Sequence, residues 1–208
     1  IAHLLGGPET VLKNPGTQNN HIGVPLALLG LAPHHEMAVV ELGSNHPGEI
    51  GYLASMVQPT VAVITNVGPV HLEFFGSMME VLQEKLSLLG ELSSDGCAVL
   101  PGDQLDVCLA ARDAIHPRAR MVYFGTTDRC DIQALDIERL DIPRDRRKVK
   151  IGKGMAVRLR DRAPQFVVPL LGYHNVENAL AALACAWTVG VPLELARARM
   201  ASFQPLPL

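Results

Sequence analysis

Four short apolar runs set the limits on what this chain can fold into: Met37-Ala-Val-Val-Glu41-Leu42, Val61-Ala-Val-Ile-Thr65-Asn66, Cys97-Ala-Val-Leu100 and Met121-Val-Tyr-Phe124. Runs that are apolar at consecutive positions, rich in β-branched residues and closed by Gly or Pro, read as strands buried on both faces, the mark of a parallel sheet. Between them the period changes to that of a helix, with Ile50, Leu53, Ala54 and Val57 over 49–57 and a second stripe from Met78 to Leu92. A third helix is expected over 105–115. Strand, helix and strand over 37–66 predict a βαβ unit, and the whole alternation predicts an α/β fold: a mainly parallel sheet with helices on both faces. A short helix over 22–29, with Pro25 in its first turn, precedes these elements. Two more, over about 175–189 and 193–203 and split by Gly190-Val-Pro192, follow them.

From 126 to 168 the period falls to two, as in Asp131-Ile-Gln-Ala-Leu-Asp-Ile and Met155-Ala-Val-Arg-Leu-Arg, and this predicts a small antiparallel subdomain within a single 1–208 domain. Arg144, Arg146, Arg147, Lys148 and Lys150 fall here, read as a solvated strand face because Asp141 and Asp145 interrupt them and no aromatics are interleaved. A net charge of −3 offers no general attraction for nucleic acid. The most apolar stretch, 179–193, is shorter than the roughly 20 residues a membrane helix needs, so no span is expected. Cys97, Cys108, Cys130 and Cys185 lie far apart without C-x-x-C spacing, which points to reduced thiols in a cytoplasmic protein rather than zinc or disulfides.

Ligands of open α/β sheets bind outside the carboxyl ends of the strands. Glu41 and His71 stand at two such ends and are expected to share a crevice, where a carboxylate is costly unless paired or liganded. Lys85 sits on the helix 78–92 among apolar neighbours; alone it reads as a snorkelling surface lysine. Asn175 and Asn178, three apart at a helix start, suit either capping or the edge of a nucleobase.

The order and wording of the segments add more. Asn19-Asn-His-Ile-Gly-Val-Pro25, Glu41-Leu-Gly-Ser-Asn-His-Pro-Gly-Glu49, Thr65-Asn-Val-Gly-Pro-Val-His71, Lys85 and Gly172-Tyr-His-Asn175-Val-Glu-Asn178 resemble the central domain of the Mur ligases, strongly over 1–125 and 165–208. Their wording points to the member that joins D-Ala-D-Ala to UDP-MurNAc-tripeptide in peptidoglycan precursor synthesis, and Asn-His-Pro-Gly-Glu speaks against relatives such as folylpolyglutamate synthase. The resemblance implies ATP-dependent amide-bond formation through an acyl phosphate. It implies a Mg²⁺ site of Glu41, His71 and Lys85, with the lysine carbamylated into an oxygen donor that a hard cation accepts. Asn175 and Asn178 are implied on the adenine side, and Asn20 near the nucleotide.

The chain departs from that pattern in lacking G-x-x-x-x-G-K-[ST], since Gly152-Lys153 is followed by Gly154 and has Arg147 where the first glycine belongs. The resemblance places that loop just ahead of residue 1, and also implies amino- and carboxy-terminal domains outside these residues. The 208 residues alone are therefore expected to lack ligase turnover. The alternative is a relative without the phosphate loop that survives as a binding or scaffold domain; a phosphate-loop motif in the coding sequence ahead of Ile1 decides against it.

Overall fold

In a computed structural model, residues 1–69, 75–140, 154–160 and 162–204 are described. His71 and the basic cluster 144–150 lie outside them. In chain order the elements are α1 (Ala2–Leu5), β1 (Val11–Lys13), α2 (Gly23–Leu28), β2 (Met37–Val39), α3 (Glu49–Val57), β3 (Val61–Val63) and α4 (Met78–Gly90). They continue as β4 (Cys97–Pro101), α5 (Leu105–Ala114), β5 (Arg120–Gly125), β6 (Ile132–Leu140), β7 (Gly154–Leu159), β8 (Arg162–Val168), α6 (Tyr173–Thr188) and α7 (Leu193–Ala201).

Six strands form one mixed sheet in the order β3-β4-β5-β6-β7-β8. The first three pairings are parallel and the last two antiparallel, so the period-two region adds a hairpin-like extension to the parallel core. Only Phe124 and Gly125 pair with Ile132 and Gln133, and β6 leaves β5 almost at once.

β4 explains why the runs had to be continuously apolar. Cys97 and Val99 enter a core shared with α6, α7 and Leu4 of α1 on one face; Ala98 and Leu100 enter a second core with Val81, Leu82, Leu86 and Leu89 of α4 and Val107 and Ala111 of α5 on the other. A strand between two helical layers has no wet face on which to place a polar residue. All four cysteines are free and buried.

One expectation fails. The strand at 37–39 does not join the strand at 61–63 in a βαβ unit; β2 pairs in parallel with β1, Val11 opposite Met37, in a separate two-stranded sheet. β1 escapes the sequence reading because three residues, one of them the exposed Lys13, carry too little pattern. Both β2 and β3 consequently present an edge among the described residues, and a cleft of about 1170 Å³ lies between them.

Candidate active site

The floor of this cleft is apolar, with Met37, Ala38, Val39 and Val40 on one side and Val61 to Ile64 on the other. Polar groups gather at the strand ends. Glu41, Asn19 and Ser44 come from the segments beside β2, Thr65 and Asn66 from the end of β3, Glu84 and Lys85 from α4, and Asn178 from α6.

Glu41 is not the deeply placed carboxylate its run implies. It lies two residues past β2 and is exposed, so it carries little desolvation cost. Its backbone is fixed by the buried Asn14, just after β1: Glu41 N donates to Asn14 Oδ1 at 2.9 Å, and Asn14 Nδ2 donates to the Glu41 carbonyl at 3.0 Å. The Glu41 carboxylate accepts one hydrogen bond at 2.8 Å from Asn19 Nδ2 and keeps lone pairs toward the cleft.

Lys85 is half-buried on α4, and its Nζ donates to the Asn66 carbonyl oxygen at 2.7 Å. Burial lowers its pKa below the ordinary lysine value, the direction that favours a free amine. The lysine thus points at the strand-end loop rather than snorkelling to water. Beside it, Glu84 is only 6% exposed and its carboxylate accepts Gly48 N at 2.6 Å and Ile50 N at 2.8 Å. Those are unpaired amides at the start of α3, where Gly48, at φ 89°, has no side chain to cap with. Glu49 ties the same loop from within, accepting from Asn45 N at 2.7 Å and His46 N at 3.1 Å, and the Asn45 bond leads in holding its carboxyl below the usual range.

Of the α6 pair, Asn178 is exposed and reaches the cleft. Asn175 is instead half-buried and bonded to its own helix start, its Nδ2 donating to the Leu171 carbonyl at 2.8 Å and lying 3.1 Å from His174 Nε2. Asn20 caps α2, its Oδ1 accepting from Ile22 N at 3.1 Å and Gly23 N at 2.9 Å, while its neighbour Asn19 takes the contact with Glu41. Glu41, Lys85 and Asn178 therefore share one cleft, and Asn175 and Asn20 serve locally.

Asn14, Asn19, Asn66, Glu84 and Gln104 shape this region and were not singled out from the sequence. Glu84 alone carried a signal, as an acid three residues after the buried Val81 on the apolar stripe of α4. A second cavity of about 160 Å³ opens beside the first, lined by Thr65, Asn66, Asp103, Gln104 and Glu177 among others. Burial and the nearby Asp103 raise the Glu177 pKa. Among the described residues no three His, Cys, Asp or Glu side chains form a ready metal cage. A hard cation that takes oxygen ligands and keeps several waters needs no such cage, and the open carboxylate of Glu41, with the Thr65 and Ser44 hydroxyls on the same cleft, fits one.

The sequence pattern described as Mur ligase middle domain matches residues 1–186. The chain belongs to the Mur ligase family. It is 35% identical over 193 residues to the UDP-N-acetylmuramoyl-tripeptide--D-alanyl-D-alanine ligase of Haemophilus influenzae, covering 93% of this chain and 39% of that protein. To the ligase of the same name from Escherichia coli it is 32% identical over 206 residues, covering 99% and 43%. Among solved structures, MurF from Acinetobacter baumannii superposes with a TM-score of 0.82 at 30% identity over 99% of this chain and 42% of that one. MurF from Thermotoga maritima, solved in complex with ADP, shares the fold with a TM-score of 0.79 at 23% identity. The Mur ligase chain described here thus spans less than half the length of the relatives it matches.

Proposed function

We propose that this chain is the central nucleotide-binding domain of a ligase that joins D-Ala-D-Ala to UDP-MurNAc-tripeptide at the expense of ATP, in the cytoplasm. The observation that carries the reading is the convergence of Glu41, Lys85 and Asn178 on one cleft at the strand ends. In the reaction the γ-phosphate passes to the substrate carboxylate, ADP leaves, the amine of D-Ala-D-Ala attacks the acyl phosphate, and phosphate departs.

Crowded phosphate and carboxylate oxygens must be neutralised along that path, and bound Mg²⁺ supplies this. Glu41 and a carbamylated Lys85 would hold the ion, with His71 as a further contact. Asn19 keeps the Glu41 carboxylate turned to the cleft, and the Asn66 carbonyl keeps the Lys85 amine there. Asn178 offers both donor and acceptor to an adenine edge. Asn175 braces that helix start, and a nucleotide role for it or for Asn20 rests on the family likeness alone.

The 208 residues contain no G-x-x-x-x-G-K-[ST], so a phosphate cradle must come from polypeptide outside them. The open cleft between β2 and β3 is the place where such a strand and loop would enter. By itself the chain is expected to show no turnover. The test is a ligation assay on the complete polypeptide with ATP, Mg²⁺, UDP-MurNAc-tripeptide and D-Ala-D-Ala. Lys85→Ala should lower turnover by about 100-fold or more while the melting temperature stays within a few degrees. Near-normal turnover in that variant, or none in the unaltered complete protein, would sink the proposal.

A further inference from the structure

The end of β3 is gripped by a side chain from another element. Gln104 stands at the start of α5, the position where a helix is ordinarily capped, yet it makes no capping bond there. Its carboxamide is turned across the strand end. Val67 N donates to Gln104 Oε1 at 2.9 Å, and Gln104 Nε2 donates to the Val67 carbonyl at 2.8 Å. The same Nε2 reaches Asn66 Oδ1 at 3.1 Å. A primary amide has the donor and acceptor of a peptide group, so Gln104 pairs with Val67 as a neighbouring strand residue would. The backbone ladder itself stops at Ile64, whose N donates to the Val99 carbonyl at 3.0 Å, and Gln104 takes hold three residues further on, where no strand lies alongside among the described residues.

This matters because Asn66 is the residue whose carbonyl receives Lys85 Nζ at 2.7 Å. The backbone between Asn66 and Val67 has few other ways to be held, since it has left the sheet. Gln104 grips Val67 through both of its backbone polar groups and Asn66 through its side chain, leaving the Asn66 carbonyl free to face α4. We propose that Gln104 is a positioning residue for Lys85, fixing the 65–67 loop so that the amine is delivered to the cleft. Gln104 itself does not line that cleft and acts through Asn66. The inference rests on the ligase reading for its catalytic consequence and on the three Gln104 contacts for its structural content.

Two variants separate the possibilities. Gln104→Met keeps the length and packing of the side chain and removes every polar contact. Gln104→Glu keeps an acceptor for Val67 N but sets a carboxylate oxygen against the Val67 carbonyl and Asn66 Oδ1, so it should not rescue. In the complete polypeptide each is expected to lower kcat about tenfold or more, with KM for ATP within about threefold, as for other residues that orient a ligand from behind. A kcat within twofold of the unaltered protein, in a series where Lys85→Ala is inactive, would overturn the inference, and so would rescue by Gln104→Glu. Amide exchange in the 208-residue chain gives a reading independent of catalysis. The Val67 amide should exchange about tenfold faster or more in Gln104→Met, and an unchanged rate would remove the clamp whatever becomes of the ligase reading.

Discussion

Asn14 and Gln104 do the same job at neighbouring strand ends: each uses a carboxamide as a surrogate peptide, the first on Glu41 and the second on Val67. Asn14 is 7% exposed and donates in addition to the Gln18 carbonyl at 2.8 Å, so its removal strands several polar groups at once. Asn14→Ala is expected to cost about 2 kcal/mol, read from urea unfolding, because an unsatisfied buried donor or acceptor loses its full desolvation energy. Asp103 shows a different device. Its carboxylate accepts from Thr126 N at 3.0 and 2.8 Å, Thr127 N at 2.9 Å and Thr126 Oγ1 at 2.9 Å. Burial pushes its pKa up, but the bonds from Thr127 and Thr126 together outweigh that and hold it below 3.8. The unfolded chain then binds the proton more readily than the folded one, so the stabilisation is present above pH 3.8 and disappears as pH falls through the lower folded value. Asp103→Asn should therefore unfold at lower urea than the parent at neutral pH and converge with it in acid. A gap that does not change with pH would contradict this account.

At the scale of elements, the two surrogate amides explain which parts of the fold could be read from the sequence. Helices over 49–57, 78–90 and 105–114 fall where apolar spacing put them, since each depends only on its own stripe and the layer beneath it. The runs at 37–42 and 61–66 are longer than the strands, which end at Val39 and Val63: Ile64 N still reaches the Val99 carbonyl, but by Glu41 and Val67 the backbone is held by side chains from distant segments instead of ladder partners. No periodicity in one stretch of chain reports a hydrogen bond supplied by a residue tens of positions away. The same blindness concealed the role of Glu84, which caps α3 from α4 one residue before Lys85. One turn of α4 therefore addresses both strand-end loops, the one after β2 through Glu84 and the one after β3 through Lys85. Glu84→Ala should lower stability by about 2–3 kcal/mol, as expected for charge-assisted bonds in a buried setting. Exchange at the Gly48 and Ile50 amides should quicken more than at the middle of α3. A uniform effect along α3 would mean that Glu84 acts by packing instead of capping.

For the molecule as a whole, the unresolved tension is the cleft between β2 and β3. Met37, Val39 and Val40 are only half-buried and Ala38 is exposed, although this run has the composition of a strand enclosed on both faces. Two facing edges carry backbone donors and acceptors with no strand across from them among the described residues, an arrangement that invites pairing. The relatives are more than twice as long as the stretch matched here. A parallel strand laid into the cleft would join the two sheets and cover the apolar floor, and its carboxyl end would emerge beside Glu41, Lys85 and Asn178. Hydrogen exchange distinguishes the two states directly. In the 208-residue chain the amides of 38–40 and 61–63 should exchange faster than those of β4, which is paired on both sides. In the complete polypeptide they should slow by at least about tenfold, while β4 changes little. Equal exchange at those positions in the two proteins would mean that the cleft stays open and that the proposed phosphate cradle does not enter between β2 and β3.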